Sequence, residues 1–179
     1  MTDAKTLTSV NKALKAKFQG KTLVFGKGSV GASVVVVNEM LDASGEQDKT
    51  PVSGLHGKLL NQLLRTAGIS PSKVYVTNAI KYRPTADKLP TPKEIKSHAT
   101  FLKEEIRSVN PQVVVTLGNI ALNSVGLRIP VENVHGRTFP LGTYHLLPTF
   151  HTSRALKDPQ YRAILEADFI KLKDLMKKS

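Results

Sequence analysis

Cysteine is absent from this chain of 179 residues. That excludes disulfides, thiolate metal sites and a cysteine nucleophile. Tryptophan is absent as well, and aromatic residues make up only 6%, so aliphatic side chains must carry the core. Acidic residues are scarce: 14 stand against 26 lysines and arginines, a formal net charge of +12. No apolar run reaches the roughly 18–20 residues of a membrane-spanning helix. The opening MTDAKTLTSVNKALKAKF lacks the long apolar stretch of a secretory signal. A soluble, cytoplasmic protein is expected. The histidines, at 56, 98, 135, 145 and 151, include no pair with the spacing of a helix-borne zinc motif.

What is present points to a polyanion. A small basic domain usually meets nucleic acid, with a membrane surface second; the plain alternative is charge that only keeps the protein soluble. The length suits one domain over residues 1–179, with a core that needs no staples. Its first ~20 residues form a basic segment, possible as a helix. No internal repeat or low-complexity linker interrupts it.

Four short apolar runs read as strands: Ser33–Val37, Lys73–Ile80, Gln112–Leu117 and Tyr144–Phe150. The valine-rich ones are apolar on both faces, as in a covered parallel sheet. Leu23–Phe25 suggests a short edge strand, and Gly26-Lys27-Gly28 a hairpin-like connection. Helical patterns fall between the runs. Gly54–Ala67 carries a leucine face and ends at Gly68. Thr91-Pro92-Lys93-Glu94 reads as a capping box before a helix presenting Ile95, Ala99, Leu102 and Ile106. Asn119–Val125 is a short helix, and Asp158-Pro159 opens a last one with Leu165, Phe169, Leu172 and Met176 on one face. The stretch Arg83–Pro92 holds three prolines and reads as a stiff loop. The alternation predicts an α/β fold, a three-layer α/β/α sandwich around a central, mainly parallel four-stranded sheet. In such sheets ligands bind beyond the carboxyl ends of the strands. Glu39, Asn78 and His151 stand at or near three of those ends.

The stretch VNEMLDASGEQDKTPVSGLHGKLLNQLL, then VYVTNAIKYRP, PQVVVTLGNIAL and LLPTFHTSRAL, resembles the family-four uracil-DNA glycosylases in order and spacing, over roughly Thr22 to Pro159. The resemblance implies a DNA glycosylase that flips a uracil or modified pyrimidine out of DNA and hydrolyses its N-glycosidic bond. Glu39 falls on the acidic residue that positions or activates water, and Asn78 on the amide that reads the base edge. His151 falls on the histidine that stabilises charge on the departing base. Arg154 and Leu156 fall where the family grips and wedges DNA. Asp42 is a second acid or a helix cap. Met40 and Val52 line the base side. Lys81, Arg83, Arg137, Ser153 and Lys157, with Lys88, are expected to face DNA.

The departures from the family are specific. Its first motif, G-E-x-P-G, becomes Asn38-Glu39-Met40-Leu41-Asp42, and its base-stacking phenylalanine becomes Val52. The four cysteines that hold its iron–sulfur cluster become Lys12, Lys15, Tyr82 and His98. No cofactor or metal is therefore expected, with packing and hydrogen bonds in the cluster's place. A bulkier 5-substituted base, or a weak or inactive DNA-binding relative, are the alternatives to uracil excision. DNA is the expected partner, strand cleavage is not expected, and a monomer is the expected state. His56 and His98 read as packed or half-exposed helical histidines rather than ligands. His135 reads as structural or phosphate-facing, and His145 as a residue of the sheet surface.

Overall fold

The computed structural model describes residues 6–177. The chain runs α1 (Leu7–Lys17), β1 (Lys27–Gly28), β2 (Val34–Met40), α2 (Ala43–Asp48), α3 (Gly54–Thr66), β3 (Val74–Ile80) and α4 (Pro92–Val109). It continues β4 (Val113–Leu117), α5 (Asn119–Ser124), α6 (Val131–Val134), β5 (Phe139–Leu141), β6 (Tyr144–Thr149), α7 (Thr152–Lys157) and α8 (Pro159–Lys177). One sheet has the order β1-β3-β2-β4-β6-β5. Its four inner strands are parallel, and the two short edge strands run antiparallel to them. The parallel quartet matches the four apolar runs. The edges differ from expectation. Leu23–Phe25 is not a strand; the edge strand is Lys27–Gly28, so the Gly-Lys-Gly segment pairs with Val76 and Tyr75 rather than turning. Gly28 has φ +138, and a Cβ there would lie 2.5 Å from the carbonyl oxygen of Val74, so only glycine allows this approach.

Side chains alternate across β2. Val34 and Val36 enter a core with Leu59, Leu60, Leu63 and Leu64 of α3 and Leu165, Phe169 and Leu172 of α8. Val35 and Val37 enter a second core with Leu102 and Ile106 of α4 and Leu122 of α5. Both faces are thus covered, which is why the strands read as continuous valine rather than alternating with polar residues. The cap signals are realised. Thr91 Oγ1 accepts from Glu94 N–H, and the Glu94 carboxylate accepts from Thr91 N–H, closing the capping box.

One buried polar network crosses the second core. Glu105 of α4 accepts from Tyr75 Oη at 2.7 Å, Thr77 Oγ1 at 2.8 Å and Lys81 Nζ at 2.6 Å. Lys81, only 1% exposed, also donates to Thr77 Oγ1 and to the Asn78 carbonyl. The expectation that Lys81 faces DNA is corrected here. Its stem turns inward because Glu105, fully buried, requires a cation within hydrogen-bond reach.

Candidate active site

The site is built at the carboxyl ends of the parallel strands, where two consecutive residues of β2 point to opposite faces. Glu39 turns toward α5. Its Oε2 accepts from Ile120 N–H at 2.9 Å, and it packs on Gly118, where a Cβ would lie 2.6 Å from that same oxygen. Gly118 has φ +92, so the residue that follows β4 and opens α5 gives both the turn and the space for the carboxylate. Burial pushes the Glu39 carboxyl above its ordinary value, and the Ile120 hydrogen bond partly opposes this.

Asn38 turns to the other face, beside its register partner Asn78. Asn38 Nδ2 donates to Asn78 Oδ1 at 3.0 Å, and Asn78 Nδ2 donates to the Pro51 carbonyl at 2.9 Å. Asn78 is fully buried. Pro51 precedes Val52, which is half-buried against the first core. Ser53 donates to Asp48, tying this segment to the end of α2.

His151 follows β6 and caps α7. Its Nδ1 accepts from Ser153 N–H at 3.1 Å and lies 2.8 Å from Ser153 Oγ. Accepting a backbone N–H requires an unprotonated Nδ1, so the neutral ring carries its proton on Nε2. Burial, with a smaller push from His56, lowers the His151 pKa to about 4, against a weak opposing pull from Asp42. His151 is therefore a neutral donor over the physiological range. His56 is the packed, half-buried helical histidine expected; what it packs on is His151, with ring centroids 5.6 Å apart and its Nδ1 2.7 Å from Thr152 Oγ1. Its place near the start of α3, facing the end of β6, was not visible in its own helical context.

Glu39 and His151 line one cavity of about 270 Å³, together with Gly118, Asn119, Ile120, Ser153, Arg154 and Leu89. Asn78 does not line it and is closed off by Asn38 and Pro51. Met40 and Asp42 line a second cavity of about 390 Å³ with Pro84 and Asp87. Asp42 caps α2, its Oδ1 accepting from Gly45 N–H at 2.8 Å, which is the helix-cap alternative of the two read from sequence.

The remaining cations divide. Arg137 and Lys157 are exposed. Arg83 is bound bidentately by Asp87 at 2.8 and 2.9 Å, so its charge is largely answered within its own loop. Arg154 stacks over Phe150 and Tyr161 and donates to Glu132 and Tyr161 Oη, which fixes its guanidinium at the rim of the Glu39–His151 cavity. Leu156 is 43% exposed on α7. His135 is structural in its contacts, its Nδ1 lying 3.0 Å from Asp168 Oδ2; His145 is exposed on β6.

The positions aligned with iron–sulfur ligands do not fit such a cluster. Tyr82 and His98 pack with Phe18; the Phe18 and His98 rings stack at 4.2 Å, and Tyr82 lies 5.2 Å from His98. Tyr82 Oη donates to Glu94 at 2.6 Å. Lys15 lies 5.6 Å from the Phe25 ring. Aromatic packing thus joins the end of α1 to α4 and to the exit of β3, and none of these residues supplies a thiolate.

Comparison with known proteins agrees with this architecture. The family model described as the uracil DNA glycosylase superfamily matches residues 25–172. A type-4 uracil-DNA glycosylase of Thermotoga maritima is 36% identical over 163 residues, spanning 87% of this chain and 84% of that protein. A type-4 uracil-DNA glycosylase of Saccharolobus solfataricus is 29% identical over 172 residues, 87% of this chain and 77% of that protein. A DNA polymerase of Bacillus phage SP01 is 30% identical over 152 residues, 84% of this chain but 16% of the polymerase. With the match covering most of its length and the parallel sheet in place, the chain belongs to the uracil-DNA glycosylase superfamily.

Proposed function

We propose that this protein is a DNA glycosylase that everts a pyrimidine from DNA and hydrolyses the bond between its N1 and the sugar C1′. The observation that carries the reading is the shared cavity of Glu39 and His151. Cleavage sends both bonding electrons to the base, so negative charge grows on the pyrimidine carbonyl and positive charge on the sugar. A neutral imidazole with its proton on Nε2 suits the first charge, and a carboxylate suits the second. Water then adds its oxygen to C1′. Glu39 orients that water and takes its proton, and the released base takes up a proton from solvent. Among the described residues no lysine lines the cavity, which supports a monofunctional enzyme that leaves an abasic site intact.

DNA enters this reading through the net charge of +12 and through Arg154, Ser153, Leu156, Lys157 and Arg137 near or after the last strands. Asn78 reads the base edge only after Asn38 releases it. That lock, and Val52 in place of an aromatic ring, favour a second reading in which the preferred base is a bulkier 5-substituted pyrimidine. Base release from a panel of uracil, 5-hydroxymethyluracil and 5-hydroxymethylcytosine, in single and double strands, tests both. Release from any of them supports the glycosylase; release from uracil alone removes the second reading; release from none overturns the first.

A further inference from the structure

Among the described residues, the large apolar side chains left exposed are Val30, Leu55, Leu89, Ile129, Leu156 and Ile170. Leu89 is the most exposed of these, at 74%, and it lines the cavity shared by Glu39 and His151. We infer that Leu89 is a DNA-inserting side chain, the tip of a rigid loop that enters the duplex beside the everted nucleotide. The inference rests on the DNA reading of the site proposed above and adds a second wedge to the one at Leu156.

The loop is built to hold a side chain out. Pro84 and Pro90 are buried and anchor its two ends, while residues 85–89 between them are exposed. Arg83 grips Asp87 through two hydrogen bonds, closing the loop on itself. Ala86 and Asp87 take left-handed backbone conformations, φ +56 and +53, which a loop keeps only when its surroundings impose them. A preorganised loop loses little conformational freedom on binding. An aliphatic side chain standing in water at the mouth of a cavity gains most from burial, and an unstacked base step offers it an apolar slot. Its surroundings favour DNA over a protein partner: Lys88 precedes it and is exposed, and Arg154 lies on the same cavity rim.

The test uses a duplex with a tetrahydrofuran abasic analogue opposite guanine and 2-aminopurine as the neighbouring base, so nothing depends on which base is excised. Wild-type protein is expected to raise the probe fluorescence and to prefer this duplex over an intact one. Leu89→Ala is expected to lose at least half of the fluorescence rise and most of that preference, about tenfold, while binding single strands unchanged. Leu89→Met, which keeps an apolar tip, is expected to retain both. Leu89 is exposed, so matching thermal melts for all three proteins establish that folding is not the cause. A Leu89→Ala protein equal to wild type, or weakened equally toward single strands and duplex, overturns the inference. Base release measured in parallel reports on the proposed activity separately. Leu89-dependent unstacking without any release leaves the wedge standing and removes the glycosylase reading.

Discussion

Asn38 and Asn78, level with each other on adjacent parallel strands, form a directed pair: the Asn38 amide donates to the Asn78 carbonyl oxygen at 3.0 Å. Because Asn78 spends its own amide on the Pro51 carbonyl, both side chains are fixed in one orientation. The Asn38 Oδ1 is left buried without a partner among the described residues. A lone buried acceptor costs about 1–3 kcal/mol, which makes this the strained end of the pair. Replacing Asn38 with glycine, which removes the side chain that donates to Asn78, is predicted to unlock Asn78. Asn38→Gly is expected to raise kcat/KM on uracil-containing DNA severalfold, and Asn78→Ala to lower it by about 100-fold. Steady-state base release on both variants checks this; an Asn38→Gly enzyme slower than wild type contradicts the lock.

Under the proposed chemistry, Glu39 is predicted to set stability against activity. Its folded pKa lies above its unfolded one, so the folded state is favoured while the carboxyl is protonated, and that advantage is lost as pH rises through the folded value. At neutral pH the buried carboxylate is a net cost. Glu39→Gln removes the charge and keeps an oxygen for Ile120 N–H. It is expected to raise Tm by about 2–4 °C at pH 7 while abolishing base release. Thermal melts and a release assay on the same preparation decide it.

The pH–rate profile separates the two groups. His151 stays neutral down to about pH 4, so its own titration is expected to contribute no loss of kcat/KM near the ordinary histidine value of 6.5. The acid limb should instead follow the raised Glu39 carboxyl. Stability gives the complementary sign. As pH falls from about 6.5 to about 4, the unfolded chain protonates this histidine and the folded protein does not, so stability drops through that window. His151→Asn, which keeps a cap acceptor for Ser153 N–H but cannot titrate, is expected to flatten that slope in denaturation curves taken across the window.

Lys81 is predicted to matter for folding and not for DNA. Lys81→Met leaves Glu105 buried without its cation, at a cost of about 3–5 kcal/mol. The salt dependence of DNA binding should not change, whereas Lys157→Ala is expected to reduce that slope by about one. Denaturant unfolding and binding titrations across salt measure the two effects; a smaller salt slope in folded Lys81→Met would restore it as a phosphate contact.

The same residues show where sequence reading succeeds and stops. The parallel quartet and its helices were legible because valine runs and leucine faces report burial directly, and Thr91 with Glu94 reports a helix start. The positions of Glu39 and His151 were legible because a strand end carries its polar residue to one rim. The inward turn of Lys81 was not, since a lysine at a strand exit reads as surface. One signal existed: Glu105 sits between Leu102 and Ile106 on the apolar face of α4, and a buried acid demands a cation. The closure of Asn78 by Asn38 depends on strand register, and the approach of His56 to His151 on how α3 meets the end of β6. Neither is encoded in a local pattern.

The central claim, that the Glu39–His151 cavity breaks an N-glycosidic bond, is tested most directly by single-turnover base release at saturating enzyme from DNA with one uracil or 5-hydroxymethyluracil opposite guanine. Wild-type protein is predicted to release the base, and His151→Asn to do so about 100-fold or more slowly at unchanged DNA affinity. An undiminished rate in His151→Asn, or no release by wild type from either substrate, would contradict it.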